Sequence, residues 1–299
     1  MTETIAIPRA ERSFVQDLIA LTKPKIISLL LVTTIAPMYV AGSPDLATVF
    51  WVFLGGYLMA GGANAVNMYL DSDIDDVMVR TRLRPIPSGR MSPRVVIAFG
   101  VLIATAATYM LAHFVNVLTA ALALAGFYFY VFIYTRWLKR SSPQNIVIGG
   151  AAGAFPPLVG WAAVTGRIDL AAIYLFLIIF YWTPPHFWAL ALNTQRDYGN
   201  AGVPMAPLVW GERETIEQMA WYSVFLVALT LLPACFGVFG VPYLVMALIL
   251  GGLLLRGVYK VWLERATGNW VRPSWWIYKY SLLYLALLFV AMVIDRHLR

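Results

Sequence analysis

Cysteine and charged residues are both scarce in this sequence of 299 residues. The single cysteine, Cys235, excludes an intrachain disulfide and leaves the redox compartment undetermined. Charged residues make up only 12% of the chain, hydrophobic residues make up 61%, and the mean hydropathy is +0.73. Such a composition excludes the class of soluble globular proteins.

Apolar runs long enough to cross a bilayer recur along nearly the whole chain. They are apolar on all sides and lack the alternation of a membrane β-barrel, so the sequence predicts an all-α polytopic membrane bundle with nine transmembrane helices. With no low-complexity segment or long internal linker, residues 1–299 are expected to form one membrane domain. The predicted spans are roughly 26–42, 47–68, 94–112, 116–135, 145–164, 170–191, 218–238, 241–262 and 276–295.

The basic residues predict which way the bundle faces. With nine spans, the N-terminal segment and four loops share one side and carry 19 Lys and Arg residues, whereas the other side carries 3. This asymmetry places the basic side in the cytoplasm, and it accounts for the net charge of +7 without a nucleic-acid partner. Residues 1–25 lack a signal or transit pattern, so we expect a cytoplasmic amphipathic lead-in and a bacterial or archaeal inner membrane.

Negative charge is concentrated where the second predicted span meets the cytoplasm, in "NMYLDSDIDD". Asn67, Asp71 and Asp75 follow one another at intervals of four residues, which keeps them on one face of a helix while Asp73 points away. An amide and two carboxylates are hard oxygen ligands of the kind that Mg²⁺ takes together with substrate phosphates. Because the group contains no His or Cys, it does not suit zinc.

Cations follow these carboxylates closely. Five arginines lie within the next twenty residues, and Lys139 and Arg140 lie at the cytoplasmic end of the fourth predicted span. Guanidinium groups beside metal-binding carboxylates would suit a polyphosphate. Alternatively, these basic residues only set the topology of the chain. The arginines are Arg80, Arg82, Arg84, Arg90 and Arg94.

The loop after the sixth span repeats this pattern more weakly. Asn193 and Asp197 are again four residues apart, His186 lies seven residues before Asn193, and Arg196 supplies another cation. Facing the first group, these residues would complete a metal site from a second side.

Other features of spans five and six suggest a cavity. Pro156–Pro157 and Pro184–Pro185 are expected to interrupt their helices, and interrupted membrane helices often border a cavity. Asn145 opens span five and is a candidate helix cap. Gly149 and Gly153 form a small-residue pair typical of helix packing.

The motif N-x3-D-x2-I-D-x2-M-x-R-T-x2-R-x4-G, which runs from Asn67 to Gly89, resembles the signature of the UbiA-type intramembrane prenyltransferases. More narrowly, "YTRWLKR", "NIVIGGAAGAFPPLVGW", "WTPPHFWALAL" and "RDYGNAGVPM" resemble the branch of that family that farnesylates haem. The resemblance extends from about residue 20 to 290 and agrees with nine membrane helices. Asn193 and His186 stand where family members with aromatic substrates carry acids, which leaves the number of metal ions open.

The resemblance implies that the farnesyl group of farnesyl diphosphate is transferred, with Mg²⁺ as cofactor, to a vinyl group of haem B, giving haem O for terminal oxidases. It also implies haem A synthase or oxidase assembly proteins as partners within the lipid membrane. The metal–diphosphate residues would be Asn67, Asp71, Asp75 and Asp197. Phosphate contacts would come from Arg80, Arg84, Lys139 and Arg140. Further substrate contacts are expected from Asn145, His186 and Arg196.

Three alternatives stay open at this point. In the first, the chain is a prenyltransferase whose acceptor is a quinone precursor or another aromatic or tetrapyrrole ring. In the second, it is a haem transporter or an assembly factor without catalysis. The third concerns His186. It either ligates or orients the haem, or it has a structural role, as a hydrogen-bonded histidine beside Trp182 and Trp188 or as a polar support of the metal site.

Overall fold

A computed structural model describes residues 13–299, and within that range every regular element is a helix. The helices are α1 (Phe14–Thr22), α2 (Pro24–Ala41), α3 (Leu46–Leu70), α4 (Ser72–Val77), α5 (Pro93–Phe114), α6 (Val117–Tyr128), a π-helical segment (Phe129–Leu138), α7 (Lys139–Ser141), α8 (Asn145–Gly149), α9 (Ala151–Thr165), α10 (Leu170–Asn193), α11 (Gln195–Asn200), α12 (Ala206–Val209), α13 (Glu212–Cys235), α14 (Val241–Leu263) and α15 (Val271–Leu298).

The prediction of an all-α bundle with nine membrane helices is confirmed for the part of the chain that the structure describes. Nine continuous helical stretches there are long and apolar enough to cross a bilayer. The fourth runs from α6 through the π-helical segment to α7, and the fifth combines α8 and α9. Of the predicted lead-in, residues 1–12 lie outside the described residues. The remainder forms α1, which begins with a reciprocal capping box between Ser13 and Gln16.

The proline pairs do not interrupt their helices, so that prediction is wrong. Pro156–Pro157 lie inside α9 and Pro184–Pro185 lie inside α10. A proline removes one backbone donor, and neighbouring helices in a membrane bundle can compensate for the loss. The irregular backbone lies elsewhere: at Gly150, between α8 and α9, and in the π-helical segment.

Two glycines show how tightly some of the helices pack. A Cβ on Gly160 would lie 1.8 Å from the carbonyl oxygen of Thr34, so α9 and α2 approach each other closely there. A Cβ on Gly149 would lie 2.3 Å from the Tyr134 ring. Gly153, the other half of the predicted pair, has no neighbour within 4 Å among the described atoms, so only Gly149 behaves as a packing contact.

The two long polar loops are packed against each other at one end of the bundle. Ile74 and Met78, which follow α3, form a buried apolar cluster with Tyr198, Val203 and Met205 of the segment after α10. The largest core lies deeper and is shared by α2, α9, α10, α13, α14 and α15. The small cluster therefore fixes the relative position of the two loops that carry most of the predicted site residues.

Candidate active site

The backbone turns slightly at Asp71, yet the predicted ladder stays on one side of the chain. α3 ends at Leu70 and α4 begins at Ser72, but the amide of Asp71 still donates to the Asn67 carbonyl (2.9 Å) and that of Asp75 to the Asp71 carbonyl (2.8 Å). Asn67, Asp71 and Asp75 are only 4%, 1% and 1% exposed. The Asp73 side chain is 65% exposed. The spacing argument thus separated the inward-facing acids from the outward-facing one.

Three of the four acids of this region, Asp71, Asp73 and Asp75, are paired with cations. Lys139 Nζ lies 2.5 Å from Asp71 Oδ2, and Arg84 Nη1 donates to both carboxylate oxygens of Asp75 at 2.7 and 2.6 Å. Arg140 forms two 2.7 Å hydrogen bonds to Asp73, which lower the pKa of that carboxyl to about 2. These contacts bring three of the predicted phosphate ligands to the acidic ladder.

Lys23 completes this group and was missed by sequence reasoning. Its Nζ donates to Asn67 Oδ1 at 2.9 Å, and burial lowers its pKa to about 7, aided by the nearby cations Arg84 and Lys139. Lys23 is the only non-glycine residue with positive φ (55°) in the described part of the chain, a conformation that costs on the order of 1–3 kcal/mol. The following Pro24 gave no signal for this conformation, because proline favours extended backbone in the residue that precedes it.

The π-helical segment supplies the opposite wall of the site. Its hydrogen bonding is wider than that of an α-helix, and the hydroxyl of Thr135 donates to the carbonyl five residues earlier, on Tyr130 (2.8 Å). This places Thr135 Oγ1 3.1 Å from Asn67 Nδ2 and brings Lys139, four residues later, to Asp71. Thr135 was not predicted, since a π-helical stretch has no distinct residue pattern that sequence reasoning used.

Arg80, Arg196 and Asp197 line a cleft of about 700 Å³ whose lining includes no residue of the acidic ladder. The cleft lies between the start of the first loop and the segment that follows α10. Within the described residues, no three His, Cys, Asp or Glu side chains converge as a metal-holding group. The roles predicted for Asp197 in metal binding and for Arg80 in phosphate binding therefore stay predictions.

His186 and Asn193 turn toward α15 instead. His186 Nδ1 lies 2.8 Å from Ser281 Oγ, with the ring stacked between Trp182 and Tyr278, and Asn193 Nδ2 donates to Ser274 Oγ at 2.7 Å. These contacts match the hydrogen-bonded alternative for His186, with Trp182 as the neighbour rather than Trp188. Haem ligation by His186 stays a prediction.

Asn145 is buried but does not cap its helix, so that expectation is wrong. It is the first residue of α8, and the position before it, Gln144, makes no side-chain capping bond. Its side-chain amide instead donates to the Ser142 carbonyl (2.7 Å) and, more weakly, to the Pro204 carbonyl (3.4 Å). Asn145 thereby connects the start of α8 to the loop before α12.

The donor set of the ladder fits a hard divalent cation. Asp71 Oδ1 is buried, and no hydrogen-bond donor reaches it from the described residues; Arg140 Nη2 is 3.8 Å away. Mg²⁺ commonly binds one or two protein carboxylates while water and substrate phosphate fill its other positions. The carboxylates of Asp71 and Asp75 and the amide oxygen of Asn67 match that requirement.

Comparison with known proteins now identifies the family. The model of the UbiA prenyltransferase family matches residues 29–283. The chain belongs to this family. It is 54% identical to a protoheme IX farnesyltransferase from Roseiflexus sp. over 99% of this chain but 55% of that protein, so it spans about half the length of the first relatives it matches. It is 50% identical to a protoheme IX farnesyltransferase from Symbiobacterium thermophilum over 94% of both chains.

Solved structures share the same fold. A digeranylgeranylglyceryl phosphate synthase superimposes with a TM-score of 0.76 at 19% identity, covering 94% of this chain and 98% of the other. A UbiA homologue from Archaeoglobus fulgidus, bound to DMAPP and Mg²⁺, superimposes with a TM-score of 0.65 at 13% identity, covering 92% and 99%. At these identities the likeness establishes the UbiA-type helical fold of this membrane protein.

Proposed function

We propose that this chain transfers the farnesyl group of farnesyl diphosphate to a vinyl group of haem B. The bond between the farnesyl C1 and the diphosphate oxygen breaks, and pyrophosphate leaves with the bonding pair. The vinyl π electrons form the new carbon–carbon bond, water adds to the resulting cation, and a proton is lost. The product carries the hydroxyethylfarnesyl side chain of haem O, which a haem A synthase or a terminal oxidase would receive.

The observation that carries this proposal is the similarity to the Symbiobacterium farnesyltransferase along nearly the full length of both proteins. The geometry gives it independent support. A buried amide and two buried carboxylates are surrounded by Lys23, Arg84, Lys139 and Arg140, a combination suited to a diphosphate that arrives with a divalent cation. A haem transporter would not require this grouping.

Charge stabilisation is the main task that we assign to these residues. Lys139 and Arg84, released from Asp71 and Asp75, would bind oxygens of the departing pyrophosphate, and Lys23 would add a third cation. Asn67, Asp71 and Asp75 would hold Mg²⁺, which when bound neutralises the diphosphate and makes it a better leaving group; a part for Asp197 in metal binding stays a prediction.

The membrane interior supplies the second requirement, a reaction space with little water. Aromatic rings of the π-helical segment, α9 and α10 lie side by side; Phe155, for example, neighbours both Phe129 and Phe176. Ring faces attract an allylic cation, and the absence of stray nucleophiles protects it from premature capture. Both the farnesyl chain and the porphyrin are apolar enough to enter such a space from the lipid.

The test is to express the chain in cells that lack haem O and to identify the extracted haems by mass spectrometry. Appearance of haem O is the expected result. Unchanged haem B, together with prenylation of a supplied quinone precursor by the same membranes, would contradict haem as the acceptor. Unchanged haem B without prenylation of any acceptor, from protein that is correctly inserted, would contradict prenyl transfer itself.

We further propose that the site faces the cytoplasm across an inner membrane, as the 19 to 3 distribution of basic residues favours. Single cysteines at Ser88 and Asn200, in a Cys235→Ser background, should react with an impermeant label only from the cytoplasmic side. A cysteine at Asp45 should react only from the outside. Labelling of the Ser88 position from outside alone would invert this topology.

A further inference from the structure

The structure separates the cations of this end of the bundle into two groups. The inner group consists of Lys23, Arg84, Lys139 and Arg140, of which all but Lys23 form ion pairs with the acids that follow α3. The outer group consists of Arg80 and Arg196, which line the 700 Å³ cleft. Neither outer guanidinium has a carboxylate within 4.0 Å among the described residues.

Two acids also line this cleft, and neither forms an ion pair with Arg80 or Arg196. Glu212 accepts a hydrogen bond from Gln195 (2.8 Å) and lies in the first turn of α13, where the positive end of the helix stabilises a carboxylate. Asp197 has no Lys, Arg or His nitrogen within 4.0 Å among the described residues. The two arginines are therefore the cations of the cleft that remain available to a ligand.

We propose that Arg80 and Arg196 bind the two propionate carboxylates of the haem B acceptor, in a site distinct from the diphosphate site. This inference rests on the proposed function. A carboxylate and a guanidinium form paired hydrogen bonds, so two arginines on facing loops suit a ligand with two carboxylates on one edge. The volume of the cleft lies within the range of sites that bind ligands of comparable size.

Tyr198 indicates how a porphyrin bound at the cleft would be oriented. This buried residue belongs to the apolar cluster that holds the two loops together. It follows Asp197 of the cleft in sequence, and it packs against the segment that holds Ile74, the neighbour of Asp75. Propionates held at the cleft would leave the apolar part of the porphyrin to extend past Tyr198 toward the acidic ladder, where the farnesyl C1 is activated.

Oxyanions from another source would also suit two free arginines, in particular the diphosphate of farnesyl diphosphate or released pyrophosphate. The experiment therefore titrates the full-length protein in detergent with four separate probes. They are ferric haem B, its dimethyl ester, farnesyl diphosphate with Mg²⁺, and pyrophosphate with Mg²⁺. Arg80→Gln, Arg196→Gln and the double variant are compared with Arg82→Gln, an exposed arginine of the same loop that does not line the cleft.

Each cleft variant should weaken haem B binding about tenfold, and the double variant about 100-fold, as expected for loss of charge-assisted hydrogen bonds. The dimethyl ester should bind the wild-type protein about as weakly as haem B binds the double variant, and it should be insensitive to both substitutions. Arg82→Gln should behave as the wild type, Arg80→Lys should recover part of the affinity, and farnesyl diphosphate should bind all variants with similar affinity.

Two results would overturn the assignment of the cleft while leaving haem farnesylation intact. One is haem B binding that is unchanged in the double variant. The other is a loss confined to farnesyl diphosphate or pyrophosphate, which would assign the arginines to the leaving group. Failure of the wild-type protein to bind either haem B or its ester would contradict haem as the acceptor, and the assignment of the cleft with it.

Discussion

The two polar segments of this bundle look alike in sequence and differ in what their side chains contact. In the segment after α3, Asp71 and Asp75 are buried. Asp71 is paired with Lys139 of α7, and Asp75 is paired with Arg84 of the loop that follows α4. In α10, the corresponding residues His186 and Asn193 form hydrogen bonds with Ser281 and Ser274 of α15. Polar residues that share one helical face thus build a charged site in one place and a contact between membrane helices in the other.

The difference lies in the partner that each face meets. His186 and Asn193 are seven residues apart, as are Ser274 and Ser281, so two hydrogen bonds join α10 to the antiparallel α15 two turns apart. Such neutral bonds fix how membrane helices pack. Burying Asp71 and Asp75, by contrast, is stable only because cations accompany them, and those cations are also what a diphosphate requires.

The largest expected effect comes from removing a charge of the ladder. Asp71→Asn and Asp75→Asn should each lower haem O formation by at least about 100-fold, since the site loses stabilisation of the leaving group. Asp73→Asn is the matched control, and its effect should be milder because Asp73 is exposed and paired with Arg140 outside the ladder. Haem yields from equal amounts of inserted protein would measure this. Normal yield from either ladder variant would remove these acids from the mechanism.

A smaller effect is expected at Lys23. Lys23→Met should weaken farnesyl diphosphate binding about tenfold, because one charge-assisted contact is lost while the acids keep their other cations. Lys25→Met, an exposed lysine two residues away, is the control and should change nothing. Titration of both variants with farnesyl diphosphate in the presence of Mg²⁺ measures the difference. Equal affinity in the two variants would make Lys23 a purely structural residue.

The smallest effect is expected at the contact with α15. Ser281→Ala removes one neutral bond between helices, which costs on average about 0.6 kcal/mol and at most about 1.7 kcal/mol. The thermal midpoint in detergent should fall, while turnover should stay within about threefold of the wild type, because even the whole average loss, if added to the activation barrier, would slow the reaction only about threefold. A large loss of turnover at unchanged stability would mean that the segment around His186 takes part in the reaction.

Much of this molecule follows from local sequence rules. Apolar length predicted nine membrane helices, and a four-residue period predicted that Asp71 and Asp75 share a helical face from which Asp73 points away. Neither rule required knowledge of the rest of the fold. The proline pairs were misinterpreted because proline propensity is local, whereas the compensation that keeps α9 and α10 continuous comes from neighbouring helices.

Such local rules could not predict contacts between segments that are distant in the sequence. Lys23 reaches Asn67 across 44 residues, through a left-handed turn between α1 and α2. Thr135 and Lys139 reach the ladder only because the backbone between them is π-helical. The serine partners of His186 and Asn193 become recognisable as a matching pair only once α10 and α15 are known to lie side by side.

Binding of farnesyl diphosphate with and without Mg²⁺ tests the central claim, that the ladder binds metal and diphosphate together. Calorimetry in detergent should show that each ligand tightens the other by the same factor, with a coupling on the order of 1–3 kcal/mol. The reason is that buried carboxylates repel a diphosphate unless a cation neutralises both. Asp71→Asn should remove most of this coupling. Farnesyl diphosphate that binds equally tightly in EDTA and in Mg²⁺ would contradict the account.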